Sequence, residues 1–176
     1  VRVSENALIS LVLSSLEAYS VKKMDITQKG RPKSRIEVYG SLFGHEVVMK
    51  NNAILYHIEM ANTDTTAEQR RSSVDVNREA ISLKADVITS FWPHLVYLGD
   101  FHSHPFKSTR EVLDNKMYCM SEDDREWLND NFWQEKGYRV GIVMTIAAME
   151  KAGSKACGWV SNHCVEATLG NYRMWL

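Results

Sequence analysis

The sequence predicts one α/β domain in which a mixed, mostly antiparallel sheet is flanked by helices. Short β-rich runs alternate along the chain with longer segments of helical periodicity. The 176 residues match the usual length of one domain, and 44% of them are hydrophobic, which is enough to build a core. No repeat, low-complexity tract or linker divides the chain, so we expect residues 1–176 to form a single domain.

Composition disfavours several classes of function. The net charge is −1, which argues against a nucleic-acid partner held mainly by phosphate neutralisation. We see no leader sequence and no uninterrupted apolar stretch near the roughly 18 residues of a membrane helix, so we expect neither secretion nor a membrane span. The three cysteines show no CxxC spacing and predict reduced thiols in a cytoplasmic protein.

The N-terminal part predicts one helix, a loop and three strands. Ser4 can cap an amphipathic helix over residues 5–19, where apolar side chains recur at helical spacing. The polar, turn-rich segment 22–34 predicts a loop. An antiparallel meander is then expected, with strands at residues 35–44, 45–50 and 53–60.

The middle of the chain predicts a second helix and a buried strand. The polar segment 62–75 is interpreted as a solvated loop or, alternatively, as a substrate-facing flap. Apolar spacing predicts a helix over residues 77–91, capped by Asn77. The run Leu95–Leu98 predicts a buried strand, and we expect its ladder to end at the glycine and proline that surround two histidines.

The C-terminal part predicts a helix, a central strand and a hairpin. Residues 106–120 are of mixed composition and predict a loop with a short helix. A longer helix is expected from Ser121 toward Gly137, and the final Trp175 and Leu176 are expected to tuck onto the surface. The remaining predictions are a central strand at 138–147, a turn at 149–154 and a hairpin at 155–161 and 163–169.

The two histidines give the first sign of chemistry. His102 and His104 follow the predicted strand in the motif H-S-H-P, and side chains two residues apart on a strand point the same way, so both imidazoles can bind one metal ion. The alternative is a pair of surface histidines in a loop. A catalytic zinc needs three protein ligands and an open position. We expect Asp124, in the first turn of the helix after Ser121, to be the third ligand.

Each of the other candidate residues has a structural alternative. The spacing of Ser121 and Asp124 also fits a helix capping box, in which each side chain binds a backbone amide of the other residue. Glu37 lies in an apolar run, where a buried carboxylate is costly unless it forms an ion pair or takes part in catalysis. It suits general acid–base hydrolysis beside a metal. Its alternative is a structural ion pair with Arg35 or Lys33.

Taken in order, these motifs resemble the JAMM family of metalloproteases, also called MPN+ or JAB, and in particular its stand-alone prokaryotic type. The family pattern is a glutamate, then H-x-H-P, then S-x-x-D. The segment E-V-Y-G-S-L-F-G, which begins at Glu37, is similar to the family's E-V-x-G-x-L-x-G strand, and H-S-H-P and S-E-D-D supply the other motifs. One feature departs from the pattern: sixteen residues, 105–120, separate His104 from Ser121, where the family usually has seven.

The resemblance implies an MPN/JAB fold, which is like that of cytidine deaminases, and a zinc-dependent hydrolase. It implies that His102, His104 and Asp124 bind one Zn²⁺. It also implies that Glu37 acts as general base and then acid, and that Ser121 donates a hydrogen bond to the oxyanion. The implied reaction is hydrolysis of the bond after the C-terminal tail of ubiquitin or a ubiquitin-like modifier, which removes the modifier from its conjugates.

Two other functions stay open beside deconjugation: maturation of a ubiquitin-like or sulfur-carrier precursor, and a non-catalytic MPN scaffold, which the complete residue set disfavours. We expect segments 62–75 and 105–120 to form the groove walls. Candidate substrate contacts are Phe106, Lys107 and Arg110. The histidines expected to be structural or surface residues are His45, His57, His94 and His163.

Overall fold

The computed structural model describes residues 1–24, 32–149 and 155–176. Twelve strands and five helices lie within these residues. The strands are β1 (Arg2–Val3), β2 (Lys23–Met24), β3 (Pro32–Lys33), β4 (Tyr39–Val48), β5 (Ile54–Thr63), β6 (Glu68–Gln69), β7 (Val74–Asp75), β8 (Val96–Phe106), β9 (Val140–Ala148), β10 (Cys157–Ser161), β11 (Cys164–Leu169) and β12 (Tyr172–Trp175). The helices are α1 (Glu5–Ser20), α2 (Arg78–Phe91), α3 (Thr109–Asp114), α4 (Glu122–Trp127) and α5 (Asn131–Glu135).

Eight of the strands form one sheet in the order β1-β5-β4-β8-β9-β12-β11-β10. The pairs β1–β5 and β8–β9 are parallel, and the other neighbouring pairs are antiparallel. The strands β2 and β3, and likewise β6 and β7, form separate two-stranded ladders. The predicted α/β architecture with a mixed, mostly antiparallel sheet is therefore confirmed, while the MPN/JAB fold stays a prediction.

Helices cover both faces of the sheet. Successive strand residues point to opposite sides, so apolar strand residues are available on each face for a helix to pack against. On one face, α1 buries Leu11 and Ala18 against Leu98 of β8 and its neighbours. On the other face, Tyr97 packs in a second cluster with Ile81 of α2. The predicted caps are present: the Ser4 side chain accepts a hydrogen bond from the Ala7 amide, and the Asn77 side chain accepts from two amides of α2. The sheet is thus held between two apolar layers.

The predicted meander is wrong in its boundaries. β4 is one continuous strand rather than two, and residues 35–38 precede it. The amides of residues 35 and 36 donate to carbonyls at the end of α1, whereas that of Glu37 donates to Arg70. These hydrogen bonds lead to different elements, so the segment cannot join one ladder. Gly44 does not end the strand, since β4 continues to Val48. A glycine is needed at this position because β4 and β5 approach so closely that a Cβ atom would lie 1.9 Å from the His57 carbonyl oxygen.

The prediction that β8 ends around the histidines is also wrong. The strand continues through the H-S-H-P motif to Phe106 and pairs with β9 along its whole later half. The antiparallel pairing of β8 with β4 ends at His102. Pro105 therefore faces a side of the strand without a partner, where its missing N–H removes no ladder hydrogen bond.

The C-terminal predictions needed two corrections. The single helix expected toward Gly137 is two short helices, α4 and α5, because the Asp130 side chain accepts from the Phe132 amide and starts a new helix. Trp175 does not lie on the surface: β12 inserts between β9 and β11 and leaves this side chain 1% exposed. The short helix expected in 106–120 is α3.

Some predictions fall partly on residues that the structure does not describe. The loop predicted at 22–34 is described only at its ends, where β2 pairs with β3. The turn predicted at 149–154 lies almost wholly outside the described residues. All three cysteines are free. Within the described ranges, we find no helix with the length and apolar character that a membrane crossing requires.

Candidate metal centre

Two imidazoles of β8 point toward the same pocket. His102 and His104 share one face of the strand, and their Nε2 atoms are 3.1 Å apart. Ser103 between them points the other way and is buried, and its hydroxyl accepts a hydrogen bond from the Val38 amide. The pair is therefore fixed on a strand in the middle of the sheet rather than carried by a loop, and the loop interpretation is wrong.

Asp124 meets both histidines from the first turn of α4. Its Oδ1 lies 3.2 Å from His102 Nε2, and its Oδ2 lies 3.5 Å from His104 Nε2. The capping box is present as well: the Ser121 hydroxyl accepts from the Asp124 amide at 3.1 Å, and Asp124 Oδ2 accepts from the Ser121 amide at 2.8 Å. The two interpretations of this motif are compatible, since the cap holds the carboxylate in place beside the imidazoles.

These three side chains form a group that could hold a metal ion. The ligand atoms of His102, His104 and Asp124 all lie within 4.8 Å of one another. Two imidazole nitrogens and one carboxylate oxygen are ligands that suit zinc and related metals. The donor set therefore fits a metal ion of this kind.

The electrostatics of the group favour the metal-binding protonation state at two of the three side chains. Burial, together with the charge of His102, lowers the pKa of His104 to about 4, so this imidazole is neutral at pH 7. Burial acts to raise the pKa of Asp124, but the hydrogen bonds and charge of His102 outweigh it and hold that pKa below the usual range. Burial acts to lower the pKa of His102, but the hydrogen bond and charge of Asp124, with the charges of Asp100 and Glu37, outweigh it and raise that pKa above its usual value. Two of the three ligands are thus already deprotonated.

Glu37 lies on the wall of the same pocket. Burial raises its pKa from 4.5 to about 7, against the opposing charge of His102 and with a further contribution from Asp124. A carboxyl group with a pKa near neutrality can accept and return a proton at physiological pH. Among the described side chains there is no ion pair between Glu37 and Arg35, and the Lys33 side chain lies outside them.

The pocket has a volume of about 380 Å³ and is built from four parts of the chain. The tip of the β6–β7 hairpin forms one wall, and the substrate-facing flap interpretation of segment 62–75 stays a prediction. Of the three candidate substrate contacts, Phe106 lines the pocket, whereas Lys107 and Arg110 do not. The lining residues are Glu37, Tyr39, Arg71, Ser72, Ser73, Val74, Val76, His102, His104, Pro105, Phe106, Met117, Ser121, Asp123, Asp124 and Trp127.

Sequence reasoning missed a buried carboxyl group next to the centre. Asp100 is 1% exposed and accepts hydrogen bonds from the hydroxyls of Tyr138, at 3.1 Å, and Tyr39, at 3.4 Å. Burial raises its pKa to about 7, although His102 and both tyrosines oppose the shift. The sequence could have indicated this residue, because Asp100 precedes His102 by two positions and so shares its face of the strand.

Comparison with known proteins adds no assignment: no family model matches the chain, and no curated protein matches it. The function of the chain is therefore inferred from the geometry of the site.

Proposed function

We propose that this protein is a zinc-dependent isopeptidase of the JAMM type that removes ubiquitin or a ubiquitin-like modifier from its conjugates. The main support for this proposal is the convergence of five residues on one pocket. Glu37, His102, His104, Ser121 and Asp124 come from three separated segments of the sequence, and all five line one pocket. A structural capping box or an isolated histidine pair gives no reason for a buried glutamate with a raised pKa to share that pocket.

His102, His104 and Asp124 would hold the zinc ion. When bound, zinc supplies a Lewis acid that polarises a carbonyl group and makes water acidic enough to be deprotonated near neutral pH. The strand and the capping box fix the three ligands before the metal arrives, since each of these side chains already contacts the others.

Glu37 moves the proton in the proposed reaction. Its carboxylate accepts a proton from the attacking water while the water oxygen bonds to the carbonyl carbon of the substrate. The carboxyl group then donates that proton to the nitrogen of the leaving lysine amine as the carbon–nitrogen bond breaks. Its pKa of about 7 suits both steps, because neither protonation state is strongly disfavoured at neutral pH.

Ser121 stabilises the oxygen of the attacked carbonyl. Its hydroxyl oxygen accepts from the Asp124 amide, and its hydrogen would turn from the Asp124 carboxylate to the substrate oxygen when the substrate binds. A well-placed donor of this kind contributes on the order of 3 kcal/mol to the transition state.

The proposed substrate follows the resemblance to the JAMM family. The β6–β7 hairpin tip and Phe106 line the same pocket as the histidines. We expect a glycine-ended modifier tail to enter this pocket, since small residues let the scissile bond approach the ligands, and an extended tail can pair with a strand edge. The substrates we propose are therefore conjugates of ubiquitin or a ubiquitin-like protein.

Metal analysis joined to a cleavage assay tests the proposal. We expect one zinc ion per chain to survive dialysis of the parent protein and of Glu37→Gln, and we expect His104→Ala to lose it. The parent should cleave a ubiquitin-like protein linked to a lysine side chain, whereas Glu37→Gln should be about 10²- to 10⁴-fold slower.

A parent protein without tightly bound zinc would overturn the metal assignment. Zinc binding without cleavage of any tested conjugate would favour a scaffold. Faster cleavage of linear precursor fusions than of lysine-linked conjugates would assign maturation as the function.

A further inference from the structure

A second histidine pair lies on the β4–β5 ladder, away from the pocket. His45 and His57 are direct cross-strand partners. Their ring centroids are 5.0 Å apart with a tilt of 48°, against 4.8 Å and 56° for His102 and His104. The two pairs therefore have nearly the same separation and tilt.

A carboxylate contacts this pair as well. His45 Nδ1 lies 3.1 Å from Glu59 Oε1. When Nδ1 donates its hydrogen to a carboxylate, the lone pair of the imidazole is left on Nε2, which is the arrangement that prepares histidine for metal binding. Glu59 is the extra residue of an irregularity in β5, because Phe43 pairs with Met60 and the next residue, Gly44, pairs with Ile58. Such bulges re-aim side chains.

The second pair is accessible and separate from the first. The side chains of His45 and Glu59 are each 37% exposed. Tyr39 is the cross-strand partner of His102, and His45 lies six residues further along β4. At roughly 3.3 Å per residue, the two pairs are about 20 Å apart, too far for any residue of one pair to contact an ion in the other.

We propose that His45 and His57 bind a divalent transition-metal ion, Zn²⁺ or Cu²⁺, with Glu59 orienting His45 and water completing the coordination. Imidazole is a preferred ligand of both metals, and Cu²⁺ binds such sites more tightly than Zn²⁺. Among the described residues, a closed group of three ligands occurs only at His102, His104 and Asp124. The second site therefore has two protein ligands and binds its ion more weakly than the first.

Titration with each metal alone tests this site in the full-length chain. We expect the parent to bind two Zn²⁺ ions per chain, the second at higher free concentration. His57→Gln and His45→Gln should each bind one, whereas Glu59→Gln should bind the second ion about tenfold more weakly, because it loses the orienting partner. His94→Gln is the matched control and should bind two, since this exposed histidine belongs to neither pair.

An NMR titration of the unsubstituted protein avoids the risk that a variant fails to fold. Zn²⁺ added to the chelator-treated, unsubstituted protein should shift the imidazole NMR signals of His45 and His57 together, after those of His102 and His104. Binding of two ions by His57→Gln, or saturation of the parent at one ion that His57→Gln keeps, would overturn the proposal. A single ion that His57→Gln loses and His104→Ala keeps would instead mean that the first centre fails and the second holds, so the two failures are distinguishable.

Discussion

The two histidine pairs of this protein have similar geometry but different surroundings. Each pair has ring centroids about 5 Å apart and a carboxylate oxygen within 3.2 Å of one imidazole. His102 and His104 are only 12% and 11% exposed and share a pocket with Glu37. His45 is 37% exposed on an open ladder. The pair geometry can provide metal ligands, but a reaction also needs a proton-accepting group and a pocket that holds the substrate.

The largest expected difference between the pairs is in turnover. His102→Gln should lower hydrolysis of a lysine-linked ubiquitin-like conjugate by at least about 10³-fold, because the metal supplies several kcal/mol of transition-state stabilisation. His57→Gln should leave turnover at the parent value. Steady-state rates measured at one limiting zinc concentration check both. Equal losses in the two variants would mean that the pairs act as one unit.

The next difference is the buried acid that accompanies only one pair. Two residues before His102 lies Asp100, whereas two residues before His45 lies the apolar Phe43. The folded-state pKa of Asp100 is raised from 3.8 to about 7, so between these values the folded chain binds more protons than the unfolded one. This group therefore favours folding below about pH 4, and its contribution is lost as the pH rises to about 7.

Asp100→Asn should remove that loss, since an amide cannot ionise and its oxygen can still accept from the tyrosine hydroxyls. We expect the variant to gain stability relative to the parent as the pH rises from 4 to 8, by up to about 4 kcal/mol. Urea unfolding of chelator-treated protein at several pH values measures the difference. A constant difference across this range would contradict a raised pKa for Asp100.

The smallest effect concerns the serine that caps α4. Ser121→Ala should cost about 1 kcal/mol of stability through the lost cap and about 10²-fold in turnover through the lost donor. Ser108→Ala is the matched control, because Ser108 caps α3 in the same way and does not line the pocket. It should lose similar stability and keep its turnover. Equal turnover in the two variants would restrict Ser121 to a capping role.

The composition of the first centre was predictable because its residues carry their own local signals. His102 and His104 are two residues apart, and Asp124 sits at a recognisable helix start. The boundaries of the strands around these residues were not predictable. A proline normally suggests the end of a strand, but Pro105 is tolerated because the pairing partner β4 has already ended on that side. The tolerance of Pro105 depends on where the neighbouring strand ends, which the residues around Pro105 do not reveal.

The second pair shows the same limit more clearly. His45 and His57 are brought together by the register of β4 against β5, and an irregularity at Gly44 sets that register. A shift of one residue would place the two imidazoles on opposite faces of the sheet. The Asp100 network likewise needs Tyr39 and Tyr138, which reach it from other strands and loops. Sequence spacing predicts contacts within one element better than contacts between elements.

The connection of sixteen residues between His104 and Ser121 has a thermodynamic consequence. Closing a chain segment loses entropy only logarithmically with its length, so doubling a connection adds about 0.6 kcal/mol. Part of this connection is ordered by α3, whose Val112 is fully buried beside Trp175. Lengthening the chain between His104 and Asp124 therefore destabilises the grouping of the three candidate ligands very little. This region can change in length and sequence while the candidate ligands stay in place.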